Sequence, residues 1–198
     1  MTGVRSTLPN PASVVESTTH RFLIFDAPND DNLSLYMPVS LNDTINTINK
    51  NKKAQELQRH NIHHLVRACD PTYSTEPLSA IGIQVHDLPF PDGGSPSDAV
   101  VDSWLRILKD SYKKDNKETI GVHCVAGLGR APVLVAIALI ESGMNPLQAV
   151  DYIREKRRGS INIKQIKYLK EYKSKKKASA AAIAAILLNP NLSSSQQQ

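Results

Sequence analysis

The sequence predicts an α/β fold, a central and mostly parallel β-sheet flanked by helices. Short apolar runs typical of buried strands alternate along the chain with stretches whose apolar residues recur at helical spacing. Serine or asparagine followed by proline precedes two of the helical stretches, which is a common helix start. The length of 198 residues suits one domain with additional chain at its ends.

Four apolar segments are predicted to be strands. Residues 20–25 and 119–124 are short, mostly apolar runs, as expected for strands buried in a sheet. The run 63–68 ends just before Asp70-Pro71, which favours a turn. In the run 81–88 the apolar residues alternate, so that one face carries Ile81, Ile83 and Val85.

Four further segments are predicted to be helices. Ser95 is the expected N-cap of the first, whose core-facing stripe consists of Val101, Trp104, Leu105 and Leu108. The second is the strongly apolar run 132–141, and the third begins at Asn145-Pro146 and ends near Gly159. Asn162, together with Gln165, opens a fourth helix with a stripe formed by Ile163, Ile166, Leu169 and Tyr172.

The composition divides the chain into one folded domain and two terminal segments. Residues 1–18 are rich in Ser, Thr and Pro and are predicted to be flexible. The folded domain spans residues 19–173 and contains an Asn-rich insertion at about 30–55. Residues 174–198 form a tail that is first basic and then Ala-rich and polar.

The net charge of +5 is unevenly distributed, which bears on the class of partner. Residues 154–177 hold eleven Lys and Arg against two acids, a local charge of +9, and the rest of the chain carries −4. The basic stretch has Tyr168 and Tyr172 as its aromatic residues and no recognition motif. A basic tail on a mildly acidic body therefore argues against nucleic-acid binding.

Other features of the composition predict a cytoplasmic protein. Two cysteines are too few for a disulfide-built secreted scaffold, and residues 1–17 lack a signal-peptide pattern. The longest apolar run of low charge, 178–188, has 11 residues. Because a membrane-spanning helix needs about 20, we expect a chain that is neither secreted nor transmembrane.

The stretch His123-Cys-Val-Ala-Gly-Leu-Gly-Arg130 carries the predicted chemistry, between a predicted strand and a predicted helix. Gly127 and Gly129 permit the tight curl that would aim backbone N–H groups at a phosphate, and the next helix adds its positive N-terminus. Arg130 supplies a planar fork for phosphate oxygens, and Cys124 is placed to attack as a thiolate. The predicted phosphate-binding residues are Val125, Ala126, Gly127, Leu128, Gly129 and Arg130. The alternative is a structural cysteine with an arginine nearby by chance.

This stretch, continued as Ala-Pro-Val-Leu-Val-Ala136, resembles the signature of the protein tyrosine phosphatases of type IVA, the phosphatases of regenerating liver. The resemblance extends over about residues 20–173 through Val66-Arg-Ala-Cys-Asp70, Pro89-Phe-Pro-Asp-Gly93, Val101-Asp-Ser-Trp104 and Lys156-Arg-Arg-Gly159. It implies that residues 19–173 are a tyrosine phosphatase domain with the small dual-specificity-phosphatase-like fold. It also implies hydrolysis of phosphate monoesters through a phosphocysteine.

The resemblance assigns roles to individual residues. Cys124 is the nucleophile, Arg130 binds the phosphate and stabilises the transition state, and His123 supports the thiolate. Asp92 matches the family's acid loop and is the expected general acid, because the leaving oxygen needs a proton. A turn aspartate is the alternative, since Pro-Asp-Gly is itself a turn sequence.

Two further positions carry expectations about turnover and regulation. Ala131 follows Arg130, where most phosphatases of this chemistry have Ser or Thr, so we expect slow breakdown of the phosphocysteine and low turnover. Cys69 matches the family position that forms a disulfide with the nucleophile, which implies reversible oxidative inactivation through Cys69–Cys124. The alternative for Cys69 is a buried apolar cysteine at the end of a strand.

Two functions follow from the resemblance. The first is a slow protein-tyrosine phosphatase, with dual specificity as a variant, acting on phosphotyrosine-containing proteins. The second is a phosphatase-fold binding module that regulates a cyclin M-type magnesium transport mediator, with Arg158 as the matching partner contact.

Residues 173–188, basic and then apolar, predict either peripheral contact with an anionic inner membrane face or a solvated helix end. No cysteine follows Cys124, so prenylation is not expected.

No metal or cofactor is expected. His60, His63 and His64 are close in sequence, but no further ligand spacing completes a zinc site. The phosphocysteine chemistry expected at Cys124 needs no cofactor.

Overall fold

The computed structural model describes residues 11–31, 33, 60–112 and 119–175. Within them the strands are β1 (Ser13–Glu16), β2 (Arg21–Asp26), β3 (Ile62–Arg67), β4 (Gln84–Asp87) and β5 (Thr119–Cys124). The helices are α1 (Glu76–Ala80), α2 (Asp98–Asp110), α3 (Arg130–Glu141), α4 (Pro146–Lys156) and α5 (Ile163–Glu171). Most of the Asn-rich insertion at 30–55, and the tail from residue 176, lie outside the described residues.

The strands form one sheet in the order β1-β2-β5-β3-β4. β1 pairs antiparallel with β2, and the remaining neighbours are parallel. This confirms the predicted mostly parallel sheet flanked by helices. Because parallel strands end at the same edge, the ends of β2, β3 and β5 meet there, with Asp26 opposite Cys124 and Arg67 opposite His123.

The side chains of β2 show how the sheet separates two apolar layers. Phe22 and Ile24 point into the larger core, which contains the buried residues of α2, α3, α4 and α5. Leu23 and Phe25 point to the opposite face, where Leu78 of α1 packs with them. The strict alternation along the strand produces this division, and burial on both faces explains why the run is apolar throughout.

Helix α3 is the centre of the larger core, since all twelve of its residues are buried. Trp104 of α2 packs against it with no exposed surface and donates its indole N–H to Leu134 O at 2.7 Å. The predicted core role of Trp104 is therefore confirmed. The helix that begins at Arg130 is thus held rigidly, which fixes the end of the loop that precedes it.

Two predictions near the N-terminal half are wrong. The segment 1–18 is not flexible at Ser13–Glu16, because those residues pair with β2 and Val15 is fully buried. Four residues are too few for the alternation to stand out within a polar segment. The cap of α2 is Ser97 and not Ser95, since the Ser97 side chain accepts from the backbone of Val100.

Three further elements depart from the sequence pattern. Helix α1 is not predicted by periodicity, because it is only five residues long and buries a single residue. The strand expected over 81–88 covers only Gln84–Asp87, and Ile81 is 40% exposed. Ile163, which the spacing places in the core stripe of α5, is 84% exposed. As the first residue of that helix, it projects beyond the packed surface.

Candidate active site

The loop between β5 and α3 begins at Cys124 and ends at Arg130. Cys124 lies at the carboxyl edge of the sheet and is 2% exposed. Gly127 has a φ of +63°, and a Cβ at this position would lie 2.6 Å from Phe25 O. Only glycine therefore fits this turn, as expected for a loop that must curl against the end of a neighbouring strand.

Arg157 holds the loop from the side of the protein body. Its Nε donates to Gly127 O at 2.8 Å, and its Nη2 donates to Ala126 O at 3.1 Å. The same Nη2 contacts Asp26 Oδ1 at 2.5 Å, and Arg157 is only 4% exposed. Sequence reasoning missed this residue, because within Lys156-Arg-Arg-Gly159 nothing in the pattern distinguishes the buried arginine from the exposed Arg158.

All four carbonyls of residues 125–128 are bound by the protein body. The first accepts from Ala27 N at 2.9 Å, the next two from Arg157, and the last from Ile161 N at 2.8 Å. In a planar trans peptide the N–H of the following residue points away from the carbonyl. The amides of residues 126–129 are therefore turned away from the body, as an anion-binding loop requires.

Arg130 is nearly buried beneath the loop that carries Asp92. Its Nη1 donates to Phe90 O at 3.4 Å, and its Nε lies 3.2 Å from Asp92 Oδ1. That Nε has no hydrogen bond to any described residue, so the Asp92 contact is an ion pair without a directed N–H bond. A buried guanidinium with an unsatisfied N–H is suited to receive an anion oxygen.

A pocket of about 700 Å³ opens beside this arginine. It is lined by Cys69, Asp70, Thr72, Pro89, Phe90, Pro91, Asp92, Val125 and Arg130. Of the predicted site residues, the structure thus brings Asp92, Arg130, Val125 and Cys69 to one cavity. Cys124, which directly precedes Val125 and is 2% exposed, is not among the lining residues.

The chain resembles known phosphatases in sequence. Residues 31–184 match the family model described as "PTP-SAK: Swiss Army Knife protein, DSP-PTPase phosphatase domain". The chain is 74% identical over 179 residues to "Probable protein tyrosine phosphatase type IVA A" of Dictyostelium discoideum, covering 90% of this chain and 98% of the relative. The chain belongs to the protein tyrosine phosphatase type IVA family. It is therefore a cysteine-dependent protein tyrosine phosphatase, as the sequence predicted.

Other relatives support the same assignment. The chain is 44% identical over 167 residues to "PRL-1 phosphatase" of Drosophila melanogaster, covering 84% of this chain and 85% of the relative. A solved structure of a putative protein tyrosine phosphatase from Leishmania major matches with a TM-score of 0.65 and 40% identity, covering 82% of this chain and 98% of that one. A kinase associated phosphatase shares the fold, with a TM-score of 0.59 and 24% identity over 88% of this chain and 98% of that one. The predicted dual-specificity-phosphatase-like fold is confirmed.

His123 of this type IVA phosphatase is fully buried directly before Cys124. Its Nε2 lies 2.7 Å from the hydroxyl of Tyr73, and its ring packs 5.3 Å from that of Phe25. Burial, with a contribution from the charge of Arg67, lowers the pKa of His123 to about 3. The imidazole is therefore neutral at physiological pH, so it can support Cys124 as a fixed dipole but not as a cation.

A buried arginine also fixes Tyr73. Arg67 contacts Asp87 through Nε at 2.5 Å and Nη2 at 2.8 Å, and it donates to Tyr73 O at 2.8 Å. Its guanidinium lies 4.8 Å from the centre of the Tyr73 ring. These contacts link the end of β4 to His123 through two side chains. These contacts could not be predicted from the sequence, because the pairing of β3 with β4 creates them.

Cys69 and Ala131 are the two neighbours of the loop for which the sequence predicts effects on regulation and turnover. Cys69 is 1% exposed and follows Ala68, whose N donates to His123 O at 2.8 Å, so it lies at the same sheet edge as Cys124. Both cysteines are free thiols, and burial raises the pKa of Cys69. Ala131 is fully buried at the start of α3 and offers no hydroxyl beside Arg130.

Among residues 11–31, 33, 60–112 and 119–175, no group of three or more His, Cys, Asp or Glu is arranged to hold a metal ion. His64 and His86 approach each other on β3 and β4, with 3.1 Å between Nδ1 and Nε2. Within the same described residues, no helix combines the length and apolar character needed to span a bilayer.

Proposed function

We propose that this phosphatase hydrolyses phosphotyrosine or a related phosphate monoester on proteins through a covalent intermediate on Cys124. The observation that carries the proposal is the loop of residues 125–128, whose carbonyls are all bound by the body. Its amides and the Arg130 guanidinium then surround the position that the three equatorial oxygens of a transferred phosphoryl group would occupy.

Each step has an assigned group. The Cys124 thiolate attacks phosphorus, and the bond from phosphorus to the leaving oxygen breaks. That oxygen takes a proton from the carboxylic acid of Asp92, which lies beside Arg130 at the pocket. Water then attacks the phosphocysteine and gives a proton to the Asp92 carboxylate, so that inorganic phosphate leaves and the thiolate is restored.

The lining of the pocket favours a singly phosphorylated group. The loop side chains Val125, Ala126 and Leu128 are uncharged, and the rim carries Asp70 and Asp92. Apart from Arg130, the positive field of the loop comes from its backbone. Multiply phosphorylated inositol lipids would require more cationic side chains, so phosphotyrosine is the better fit.

We infer that the second step is slow. Ala131 offers no hydroxyl to the thiolate that departs from phosphorus, so this leaving group receives less stabilisation. Rapid-quench kinetics with an aryl phosphate test the scheme. We expect a burst of phenol close to one per enzyme, followed by a slow steady state, and no burst in Cys124→Ser. Equal single-turnover and steady-state rates in the parent would overturn slow breakdown, and a burst in Cys124→Ser would overturn the nucleophile.

We also propose reversible oxidation at this site. Peroxide converts the Cys124 thiolate to a sulfenic acid, and Cys69 then displaces water from it to form a disulfide. The support is the position of Cys69 in the pocket lining and at the same sheet edge. Reduction by a thiol would return both residues to their free form.

The roles proposed for the surface concern partners and membranes. Arg158 is exposed, so it is accessible to a partner such as a cyclin M-type magnesium transport mediator. The start of the tail is attached to the domain at Glu141. The Ser174 hydroxyl donates to Glu141 Oε2 at 3.0 Å, and the backbone N–H of Lys175 donates to Glu141 Oε1 at 2.8 Å. Sedimentation with anionic vesicles tests the proposed peripheral binding by residues 173–188, comparing the full chain with a truncation after Lys175 that keeps these two contacts. Equal sedimentation of the two would overturn it.

A further inference from the structure

The acid loop, residues 89–94, is bound by two side chains at the beginning of α5. Asn162 Nδ2 donates to Gly93 O at 3.0 Å, and Gln165 Nε2 donates to Gly94 O at 3.0 Å. The donors are 69 and 71 residues away from their acceptors along the chain. The two carbonyls that directly follow Asp92 are therefore both hydrogen-bonded to side chains at the N-terminus of α5.

The same two side chains form a capping box, which fixes their orientation. Asn162 Oδ1 accepts from Gln165 N at 2.9 Å, and Gln165 Oε1 accepts from Asn162 N at 3.0 Å. With each amide oxygen used in the cap, each amide nitrogen is directed at the acid loop. Gln165 is fully buried, so loss of its bond to Gly94 would leave a buried donor unpaired.

Gln165 also lies against the phosphate-binding loop. A Cβ at Gly129 would lie 3.4 Å from Gln165 Nε2, which is ordinary contact distance. Asn162 lies equally close to the acid loop. A Cβ at Gly93, where φ is +65°, would lie 3.4 Å from Asn162 Nδ2. The start of α5 is thus in contact with both loops that supply catalytic groups.

We propose that Asn162 and Gln165 are positioning residues that hold Asp92 in place for proton transfer to the leaving oxygen. The Asp92 side chain is 83% exposed, so its position depends on the backbone of its loop more than on its own packing. The bonds to Gly93 and Gly94 set that backbone relative to the loop that ends at Arg130. The inference rests on the proposed general-acid role of Asp92.

The leaving group distinguishes this role from a merely structural one. A phosphate ester of an acidic phenol departs without a proton, whereas phenyl phosphate or phosphotyrosine needs the general acid. Asn162→Ser keeps an N-cap oxygen but loses the donor to Gly93. Gln165→Glu keeps the acceptor for Asn162 N but places an oxygen against Gly94 O.

The experiment measures the rate of Cys124 phosphorylation in single turnovers on both ester types. For each variant we expect a fall of about tenfold or more with the poor leaving group and less than about twofold with the activated one. Asn145→Ser is the matched control, because Asn145 caps α4 through Leu147 N at 3.0 Å, away from the acid loop. It should leave both rates unchanged.

The outcomes separate the two hypotheses. Asp92→Asn, measured in parallel, should show the same dependence on leaving group, and if it shows none the general-acid role fails and the inference fails with it. Asp92→Asn could instead show the dependence on leaving group while the Asn162 and Gln165 variants do not. If those variants lower the phosphorylation rates with the two esters equally, or lower neither rate, the positioning role alone is overturned. Thermal unfolding of each variant identifies any loss of fold.

Discussion

Arg157 and Asp26 form a buried ion pair, with 2.5 Å between Nη2 and Oδ1, although they are 131 residues apart in the sequence. The same guanidinium binds the carbonyls of Ala126 and Gly127. The turn that exposes the loop amides is therefore maintained by a charge pair beneath it and not by the loop residues alone. In the proposed mechanism, Arg157 and Asp26 therefore maintain the phosphate-binding conformation of the loop.

Replacement of Arg157 should destabilise the fold and inactivate the site. In Arg157→Met the Asp26 carboxylate loses its buried partner, which typically costs about 3–5 kcal/mol of unfolding free energy. Urea unfolding measures the loss, and single-turnover phosphorylation measures the effect on the loop. Arg158→Met, an exposed neighbour, should change the unfolding free energy by less than about 0.5 kcal/mol. Equal midpoints for the two variants would contradict the role of Arg157.

Gly127→Ala should displace the phosphate-binding loop. The added Cβ would lie 2.6 Å from Phe25 O, so either the loop or the end of β2 has to move. Gly143→Ala is the matched control, because Gly143 also has a positive φ but nothing within 4 Å of the added Cβ. Both should lose about 1 kcal/mol to backbone strain, but only Gly127→Ala should also lose most phosphorylation activity. A fully active Gly127→Ala would show that the loop does not need this turn.

The pKa of His123 predicts a pH dependence of stability. Burial lowers this pKa to about 3, whereas an unfolded histidine has its ordinary value of about 6.5. Between these values the unfolded chain binds the extra proton, so stability falls as pH falls through that range. Urea midpoints from pH 7.5 to 4.5 should show this slope, and His123→Gln should reduce it. An unchanged slope in the variant would assign the effect to other groups.

The rate at which Cys69 attacks oxidised Cys124 should depend on pH. Burial raises the pKa of Cys69, so below that pKa the residue is a thiol and attacks slowly. Formation of the Cys69–Cys124 crosslink after brief peroxide treatment should therefore accelerate as pH rises. Mass spectrometry of digested protein measures it, with Cys69→Ser as the control. Absence of the crosslink at every pH would overturn the proposed disulfide.

Local patterns in the sequence were sufficient to predict the strand, loop and helix at the centre of the site. The strand that ends at Cys124, the glycine turn and the apolar helix after Arg130 are consecutive, so periodicity and spacing predicted them together. The capping pair of Asn162 and Gln165 was also recognisable from its three-residue spacing. What the sequence did not show is that the same two amides reach the acid loop.

Contacts between distant segments account for the rest. Burial of Arg157 depends on β2 ending opposite Cys124, and the Arg67–Asp87 pair depends on the register of β3 with β4. Val15 is in the core because β1 pairs with β2, although its surroundings in sequence are polar. Such placements follow from tertiary packing, which overrides the local pattern.

The most direct test of the central proposal is the intact mass of the protein, quenched in acid during turnover of an aryl phosphate. A phosphocysteine adds about 80 Da, and we predict this adduct on most molecules, confined to the peptide that contains Cys124. In Ala131→Ser, where a hydroxyl can assist the departing thiolate, the phosphorylated fraction should fall while turnover rises. Release of phenol with no adduct at any time, or an adduct at another residue, would contradict the proposed mechanism.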